Sequence, residues 1–157
     1  AGRAGARLSG PCAGRMTGGR WLGLDVGDRT VGVAVSDALA LTAQGVETIR
    51  RTTLKKDLAR LGALMEEYGA SRFVVGWPKN MDGSEGARCA IVRDFADALC
   101  GAYPEAEAVF WDERLSTVAA ARSLIAADVS RKKRKKVIDK MAAVFILQGY
   151  LDRLRSG

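Results

Sequence analysis

The sequence predicts an α/β domain built on a mixed five-stranded sheet with helices on both faces. Three strand-like segments follow one another in the first third of the chain, which is typical of an antiparallel meander. Later strand-like segments alternate with helical ones, which indicates parallel strands joined by right-handed crossovers. The chain has 157 residues and a hydrophobic content of 48%, enough for one buried core.

The first two strands are predicted at residues 21–26 and 30–36, joined as a hairpin. The glycine at position 27 suits a tight two-residue turn at 27–28, which would set Asp25 opposite Thr30. Side chains alternate between the faces of a strand, so Asp25 is predicted on the face opposite the leucines of its strand. That face carries small residues and leaves room for a ligand beside the carboxylate.

The remaining elements follow from periodicity and from the residues that end them. Leucines at helical spacing over residues 54–68, stopped by Gly69, predict the first helix. A loop is expected over 77–84, and a polar, basic and mobile segment over 128–135. The other predicted elements are strands at 45–51, 72–76 and 108–112 and helices at 85–102, 117–127 and 137–154.

Residues 1–15 are predicted to be a flexible N-terminal extension outside the fold. They are rich in alanine, glycine and arginine, and Met16 is a candidate for the natural start, which leaves open whether the extension is native. Residues 16–157 form a single predicted domain. No apolar run approaches the roughly 18 residues of a membrane span. Three cysteines without a CxxC pattern predict reduced thiols and a cytoplasmic protein.

The chain contains no histidine, and this absence limits the catalytic mechanisms and metal sites that it could use. Catalytic triads that use histidine and zinc sites with histidine ligands are excluded. The net charge is +7, and it is concentrated in residues 1–15 and in the basic run 131–136, so the rest of the chain is slightly acidic. A local basic run of this kind predicts contact with a polyanion such as nucleic acid.

Three carboxylates occupy positions where solvent-exposed acids are not expected. Asp25 interrupts an apolar strand, Glu113 follows the strand ending at residue 112, and Asp139 lies in the first turn of the predicted last helix. There Asp139 shares a face with Ala143 and Ile146, so we expect it to point toward the sheet. In a chain without histidine, three such residues predict an all-oxygen site for Mg²⁺ or Mn²⁺. Two ions about 4 Å apart could activate a water and stabilise the leaving oxygen of a phosphodiester.

Four ordered motifs then resemble one family. They are LDVG with Arg29 and GVAVS at 24–36, VGWPKNMDGS at 75–84, DERLST at 112–117 and VIDKMAA at 137–143. Together they are similar to the YqgF/RuvX family of bacterial proteins with an RNase H-like fold, related to Holliday-junction resolvases of the RuvC type. The resemblance covers residues from about 21 to 151.

The resemblance implies a metal-dependent nuclease active in maturation of the 5′ end of small-subunit ribosomal RNA, or a Holliday-junction resolvase. Its acidic triad maps onto Asp25, Glu113 and Asp139. The family's loop motif matches Asn80, Asp82 and Gly83, for which a substrate or a structural role is left open. Expected partners are structured RNA or branched DNA, with a pre-ribosomal particle as a further candidate. The residues predicted to bind nucleic acid are Arg29, Arg114, Arg131, Lys132, Lys133, Arg134, Lys135 and Lys136.

Two other classes of function stay open from the sequence. A non-catalytic nucleic-acid-binding module would keep the fold, although degenerate relatives of nucleases usually lose acidic residues and all three remain here. A sugar-kinase-type ATPase would share the first motif, but this chain is short for the two lobes that close on ATP. A resolvase cuts two strands symmetrically and would normally act as a dimer, and the sequence shows no dimer face.

Overall fold

The computed structural model describes residues 7–12, 19–80, 82–115 and 131–156, with side chains from residue 19 onward except those of 131–139. The strands and helices follow in the order β1 (Arg7–Cys12), β2 (Arg20–Val26), β3 (Thr30–Ser36), β4 (Ala43–Arg50), α1 (Leu54–Tyr68), β5 (Ala70–Trp77), α2 (Ala87–Ala102), β6 (Glu107–Asp112), a 3₁₀ turn (Glu113–Leu115) and α3 (Arg131–Ser156). The helix predicted over residues 117–127 lies outside the described residues.

The sheet has the strand order β1-β6-β5-β2-β3-β4. Strands β2, β3 and β4 form an antiparallel meander, whereas β5 pairs in parallel with both β2 and β6. The predicted mixed core of five strands is therefore confirmed.

A sixth strand corrects the prediction for the N-terminal extension. Residues Arg7–Cys12 pair with β6 in antiparallel fashion, so this part of 1–15 is not outside the fold. Strand β6 would otherwise end the sheet with a row of unpaired backbone groups, and such an edge accepts another strand whatever its side chains are. Composition alone misses such a strand because the pairing uses the backbone.

The hairpin register also differs from the prediction. Asp25 lies opposite Gly32, and Val26 opposite Val31, whereas the prediction set Asp25 opposite Thr30. The Gly27 amide donates a hydrogen bond of 2.8 Å to the Thr30 carbonyl, so the two-residue turn is at 28–29 rather than at 27–28. The register has moved by two residues, and an even shift leaves every side chain on its predicted face.

Two apolar layers cover the sheet. One face, which includes Leu22 and Leu24 of β2, packs against α1 and α2. The other face, which includes Trp21 of β2, packs against α3 through residues such as Leu147. Asp25 belongs by alternation to the α3 side.

The last helix is longer than predicted. It begins by Arg131 rather than at residue 137, so the run 131–136 forms helical turns instead of a mobile loop. Lysine and arginine are good helix formers, and no glycine or proline interrupts the run. Asp139 is accordingly the ninth residue of the described helix, not a first-turn residue.

Cysteine pairing also differs in part from the prediction. Cys89 is a buried free thiol, as expected. Cys100 is disulfide-bonded, so the prediction of reduced thiols does not hold for it. Sequence spacing without a CxxC pattern does not report which sulfurs meet in the folded chain.

Candidate active site

Asp25 is a buried carboxylate near the C-terminal end of β2. Only 2% of it is exposed to solvent. Its Oδ1 accepts a hydrogen bond of 3.0 Å from Nη2 of Arg88, which lies in the first turn of α2. Burying a carboxylate without a compensating cation is costly, and the guanidinium of Arg88 offsets part of that cost through this ion pair.

Gly76 makes room for the second acidic residue. It belongs to β5 next to the Leu24–Val75 pair, so Gly76 lies beside Asp25 on the same face of the sheet. A Cβ added to Gly76 would lie 2.8 Å from Oε2 of Glu113 and 2.5 Å from Cδ1 of Ile146. The absence of a side chain at this point lets the Glu113 carboxylate approach the sheet at the carboxyl ends of parallel strands, where α/β proteins bind ligands.

Helix α3 crosses the strands and so carries its residues over the sheet. Lys140 packs against Gly45 of β4, Leu147 against Gly23 of β2, and Gly149 against Trp111 of β6. The contact at Gly23 is close, because a Cβ there would lie 2.9 Å from the Ala143 carbonyl oxygen. Glycines at the crossing points therefore bring the helix backbone near the strand that carries Asp25.

Asp139 immediately precedes Lys140 in this helix and lies one turn before Ala142 and Ala143, which are buried against the sheet. Its side chain lies outside the described part of the structure. Among the side chains that are described, no cluster of three acidic, cysteine or histidine residues is close enough to hold a metal; of the predicted triad, only Asp25 and Glu113 are in that set.

The supporting loop has a clear structural role. Asn80 donates from its side chain to the Ser84 hydroxyl at 3.0 Å, and its backbone exchanges hydrogen bonds with Gly83 and Ser84. Asp82 accepts from both the amide and the hydroxyl of Ser84. The bond from the Ser84 hydroxyl lowers the pKa of Asp82. The polar side chains of the motif thus form hydrogen bonds within the loop and hold its conformation.

This loop leads directly into the helix that carries Arg88. Gly86 is the N-cap of α2, and a Cβ there would lie 3.5 Å from Nδ2 of Asn80. The ordered loop therefore sets where α2 begins. Sequence reasoning missed Arg88 because 63 residues separate it from Asp25 and one arginine at a helix start is usually a solvated charge. The available signal was its position two residues after Gly86, the glycine that caps the start of α2.

Arg114, which is predicted to contact nucleic acid, forms an ion pair with its neighbour Asp112. Its guanidinium donates to both oxygens of Asp112, at 3.1 Å from Nε to Oδ1 and 2.7 Å from Nη2 to Oδ2. Burial raises the pKa of Asp112, but these bonds outweigh it and hold the pKa below its usual value. The same pairing raises the pKa of Arg114. Arg114 thus anchors the turn that presents Glu113.

Of the other residues predicted to contact phosphate, the structure describes the side chain of Arg29 but only the backbone of the run 131–136. Arg29 is exposed in the turn after β2, close in sequence to Asp25. The run 131–136 forms the described start of α3, and its side chains are outside the description. The basic run therefore stands on the same helix as Asp139, about one to two turns before it, at 3.6 residues per turn.

Comparison with known proteins decides the family. The family model described as "RuvX: Holliday junction resolvase" matches residues 19–153. The chain belongs to the RuvX family. The match takes in β2–β6 and almost all of α3, and so includes Asp25, Glu113 and Asp139.

Relatives within the RuvX family are close in sequence. A protein of Geobacillus kaustophilus is 59% identical over 138 residues, which is 87% of this chain and 99% of the relative. A protein of Clostridioides difficile is 58% identical over 137 residues, covering 87% of this chain and 96% of the relative. Both bear the name "Putative pre-16S rRNA nuclease".

A solved structure agrees with the fold. Thermus thermophilus RuvC, determined in complex with a Holliday junction substrate, superimposes with a TM-score of 0.55 over 85% of this chain and 94% of RuvC, at 14% identity. At that identity the likeness establishes the RuvC-like fold alone. Membership in the RuvX family supports a nuclease. No helix in the described ranges is long and apolar enough to cross a membrane.

Proposed function

We propose that this RuvX-family chain is a divalent-metal-dependent nuclease that hydrolyses phosphodiester bonds in precursor ribosomal RNA. The observation that carries the proposal is the approach of two carboxylates at Gly76. Asp25 lies beside that glycine, and Oε2 of Glu113 lies 2.8 Å from where its Cβ would be. A fold that keeps a side chain out of this point leaves space where two acids can share a cation.

The residues present fit a divalent cation. Asp25 is buried and has a guanidinium at 3.0 Å, so the surroundings of its carboxylate already accommodate positive charge. We propose that Asp25, Glu113 and Asp139 would together hold two such ions. Carboxylate oxygens are the ligands that Mg²⁺ and Mn²⁺ prefer. When bound, such ions lower the pKa of a water and offset the negative charge that develops on a phosphodiester.

The protein's own groups then orient the substrate. Arg29, exposed in the turn after β2, and the basic run at the start of α3 would contact phosphates on either side of the site. Arginine and lysine contacts to phosphate position a nucleic acid without reading its sequence. The anchored turn at Asp112 and Arg114 would keep Glu113 in place while substrate exchanges.

The choice of ribosomal RNA follows the name borne by relatives that are nearly 60% identical. We extend it to a pre-ribosomal particle as the partner and to the cytoplasm as the compartment. The second candidate is cleavage of four-way DNA junctions, which the description of the family model favours. Symmetrical cleavage of two strands requires two active sites, so a resolvase should form a dimer on its substrate.

A cleavage assay tests the proposal. The protein is incubated with Mg²⁺ or Mn²⁺ and with one of three substrates: a structured precursor of ribosomal RNA, a single-stranded RNA or a four-way DNA junction. We expect cleavage of the structured RNA, and loss of cleavage with little loss of binding in Asp25→Asn. Its matched control is Asp94→Asn, an acid on the opposite, α2 side of the sheet, which should cleave normally.

Three results would change the proposal. A folded Asp25→Asn variant that cleaves at the wild-type rate would refute the site. Cleavage of the junction alone, by a dimer in solution, would move the substrate to DNA. Binding without cleavage of any substrate would favour a non-catalytic module.

A further inference from the structure

Arg88 contacts Asp25 from the first turn of α2. Nη2 of Arg88 lies 3.0 Å from Oδ1 of Asp25, and the carboxylate is 2% exposed whereas the arginine side chain is 39% exposed. One end of this pair is therefore fixed in the protein, and the other reaches in from solvent. A long side chain anchored only at an exposed helix start can leave the carboxylate without unfolding anything.

The guanidinium and a divalent ion would compete for the Asp25 carboxylate, because the hydrogen bond from Arg88 takes up part of the acceptor capacity of Oδ1. Two cations that close also repel each other. Arg88 should therefore lower the affinity of the site for metal as long as it stays on Asp25.

A nucleic-acid phosphate offers Arg88 an alternative partner. The planar guanidinium matches phosphate as well as carboxylate, with two parallel hydrogen bonds. Arg88 is partly solvent-exposed, and it stands at the N-terminus of a 16-residue helix, whose unpaired amides also favour an anion. When a phosphate arrives, the guanidinium can exchange one anion for the other over a short distance.

We propose that Arg88 is a positioning residue that couples metal binding to nucleic-acid binding. Without nucleic acid, Arg88 stays paired with Asp25 and keeps the affinity of the site for metal low. With nucleic acid it transfers to phosphate and releases the carboxylate oxygen to the metal. The ordered loop of Asn80 and Ser84 serves this role by fixing the start of α2. The inference rests on the proposed function, since it takes Asp25 to be a metal ligand.

The first test measures metal binding in the absence of nucleic acid. Mn²⁺ is titrated into wild-type protein, Arg88→Gln and Arg88→Lys, and free Mn²⁺ is followed by electron paramagnetic resonance. We expect Arg88→Gln to bind Mn²⁺ about tenfold more tightly, equivalent to about 1.4 kcal/mol. Arg88→Lys keeps the positive charge but loses the planar guanidinium with its two parallel hydrogen bonds. Its Mn²⁺ affinity should lie between those of the wild type and Arg88→Gln. The matched control Arg60→Gln removes an arginine paired with Glu47 on the surface and should leave the Mn²⁺ Kd unchanged.

The second test measures the coupling itself. The affinity for a fluorescent single-stranded RNA is measured by anisotropy with EDTA and with Ca²⁺, which also takes oxygen ligands. By linkage, the factor by which metal strengthens RNA binding equals the factor by which RNA strengthens metal binding. We expect that factor to be about tenfold smaller in Arg88→Gln than in the wild type, again about 1.4 kcal/mol.

The outcomes separate the two proposals. If Mn²⁺ binds the wild type and is lost in Asp25→Asn but Arg88→Gln binds Mn²⁺ no more tightly, the role of Arg88 is refuted and the metal site stands. Weaker Mn²⁺ binding by Arg88→Gln would also refute it, because Arg88 would then support the ligand instead of competing for it. If the wild type binds no Mn²⁺ at all, with or without RNA, both proposals fail.

Discussion

Replacing Gly76 by alanine should separate the geometry of the site from the stability of the fold. The new Cβ would lie 2.5 Å from Cδ1 of Ile146 and 2.8 Å from Oε2 of Glu113, whereas ordinary contact begins at 3.4 Å. Ile146 must therefore move by about 0.9 Å and the Glu113 carboxylate by about 0.6 Å. Both atoms are at the ends of flexible side chains, so neither strand needs to shift.

The expected magnitudes follow from these displacements. Overpacking of this kind costs roughly 1–3 kcal/mol, and for a domain of this size each kcal/mol lowers Tm by about 2–4 °C. A misplacement of 1 Å costs on the order of 100-fold in rate, and the Glu113 carboxylate must move by about 0.6 Å. We therefore expect Gly76→Ala to fold, to melt a few degrees lower, and to cleave on the order of 10-fold more slowly under saturating metal.

Two other glycines provide controls for this measurement. Gly101 lies in the last turn of α2 with open space around it, so Gly101→Ala should leave cleavage unchanged and should stabilise the protein by up to about 1 kcal/mol. Gly23→Ala would press on the Leu147 Cβ at 2.6 Å and the Ala143 carbonyl at 2.9 Å, which lie on or next to the helix backbone, and it should be more destabilising than Gly76→Ala. The assays are thermal unfolding by circular dichroism and cleavage at a temperature where all variants are folded. A folded Gly76→Ala protein with wild-type kcat would refute a catalytic role for the Glu113 carboxylate.

Two further predictions concern charge. Replacing Lys132 and Lys133 together by glutamine should weaken RNA binding and reduce the slope of log K against log salt by up to about 1.4, since each phosphate contact on a single strand contributes about 0.7. The control is the same change at Lys55 and Lys56. Equal slopes for the two double variants would show that the basic run is not part of the RNA interface. Asp112→Asn should cost about 1–3 kcal/mol near neutral pH by weakening charged hydrogen bonds. Because the pKa of Asp112 is lowered on folding, this contribution is present above the unfolded pKa near 3.8 and is lost as pH falls through the lower folded value. Urea unfolding at pH 7 and pH 3 checks this, and a difference between the two proteins that persists undiminished at pH 3 would contradict it.

Patterns with strong local causes could be read from the sequence. Helix α1 has its predicted bounds because its start is capped by Thr53, which accepts from the Lys56 amide, and its end by Gly69 at a φ of 61°. The side chains of β2 lie on their predicted faces although the predicted register was wrong, because side chains alternate with a period of two and the register moved by two residues. The family motifs also brought Asp25, Glu113 and Asp139 forward as candidates.

Features that depend on distant partners could not be read in this way. The edge strand β1 forms because β6 offers it a backbone partner nearly a hundred residues later. Helix α3 starts earlier than predicted, because lysine and arginine favour a helix even in a run of like charges. The pairing of Arg114 with Asp112 also depends on the fold, because a sequence does not report that Asp112 is buried.

The sequence by itself determined the family and the mixed sheet, and it identified three acidic residues as candidates for the site. Motif spacing and side-chain alternation, on which these inferences depend, are local properties of the chain. Only the tertiary structure decided what surrounds those acids. It packs α3 closely over glycines of the sheet, turns Glu113 toward the gap at Gly76, and brings Arg88 to Asp25 across 63 residues. These contacts depend on where separate elements cross, and that is settled by the packing of the whole domain.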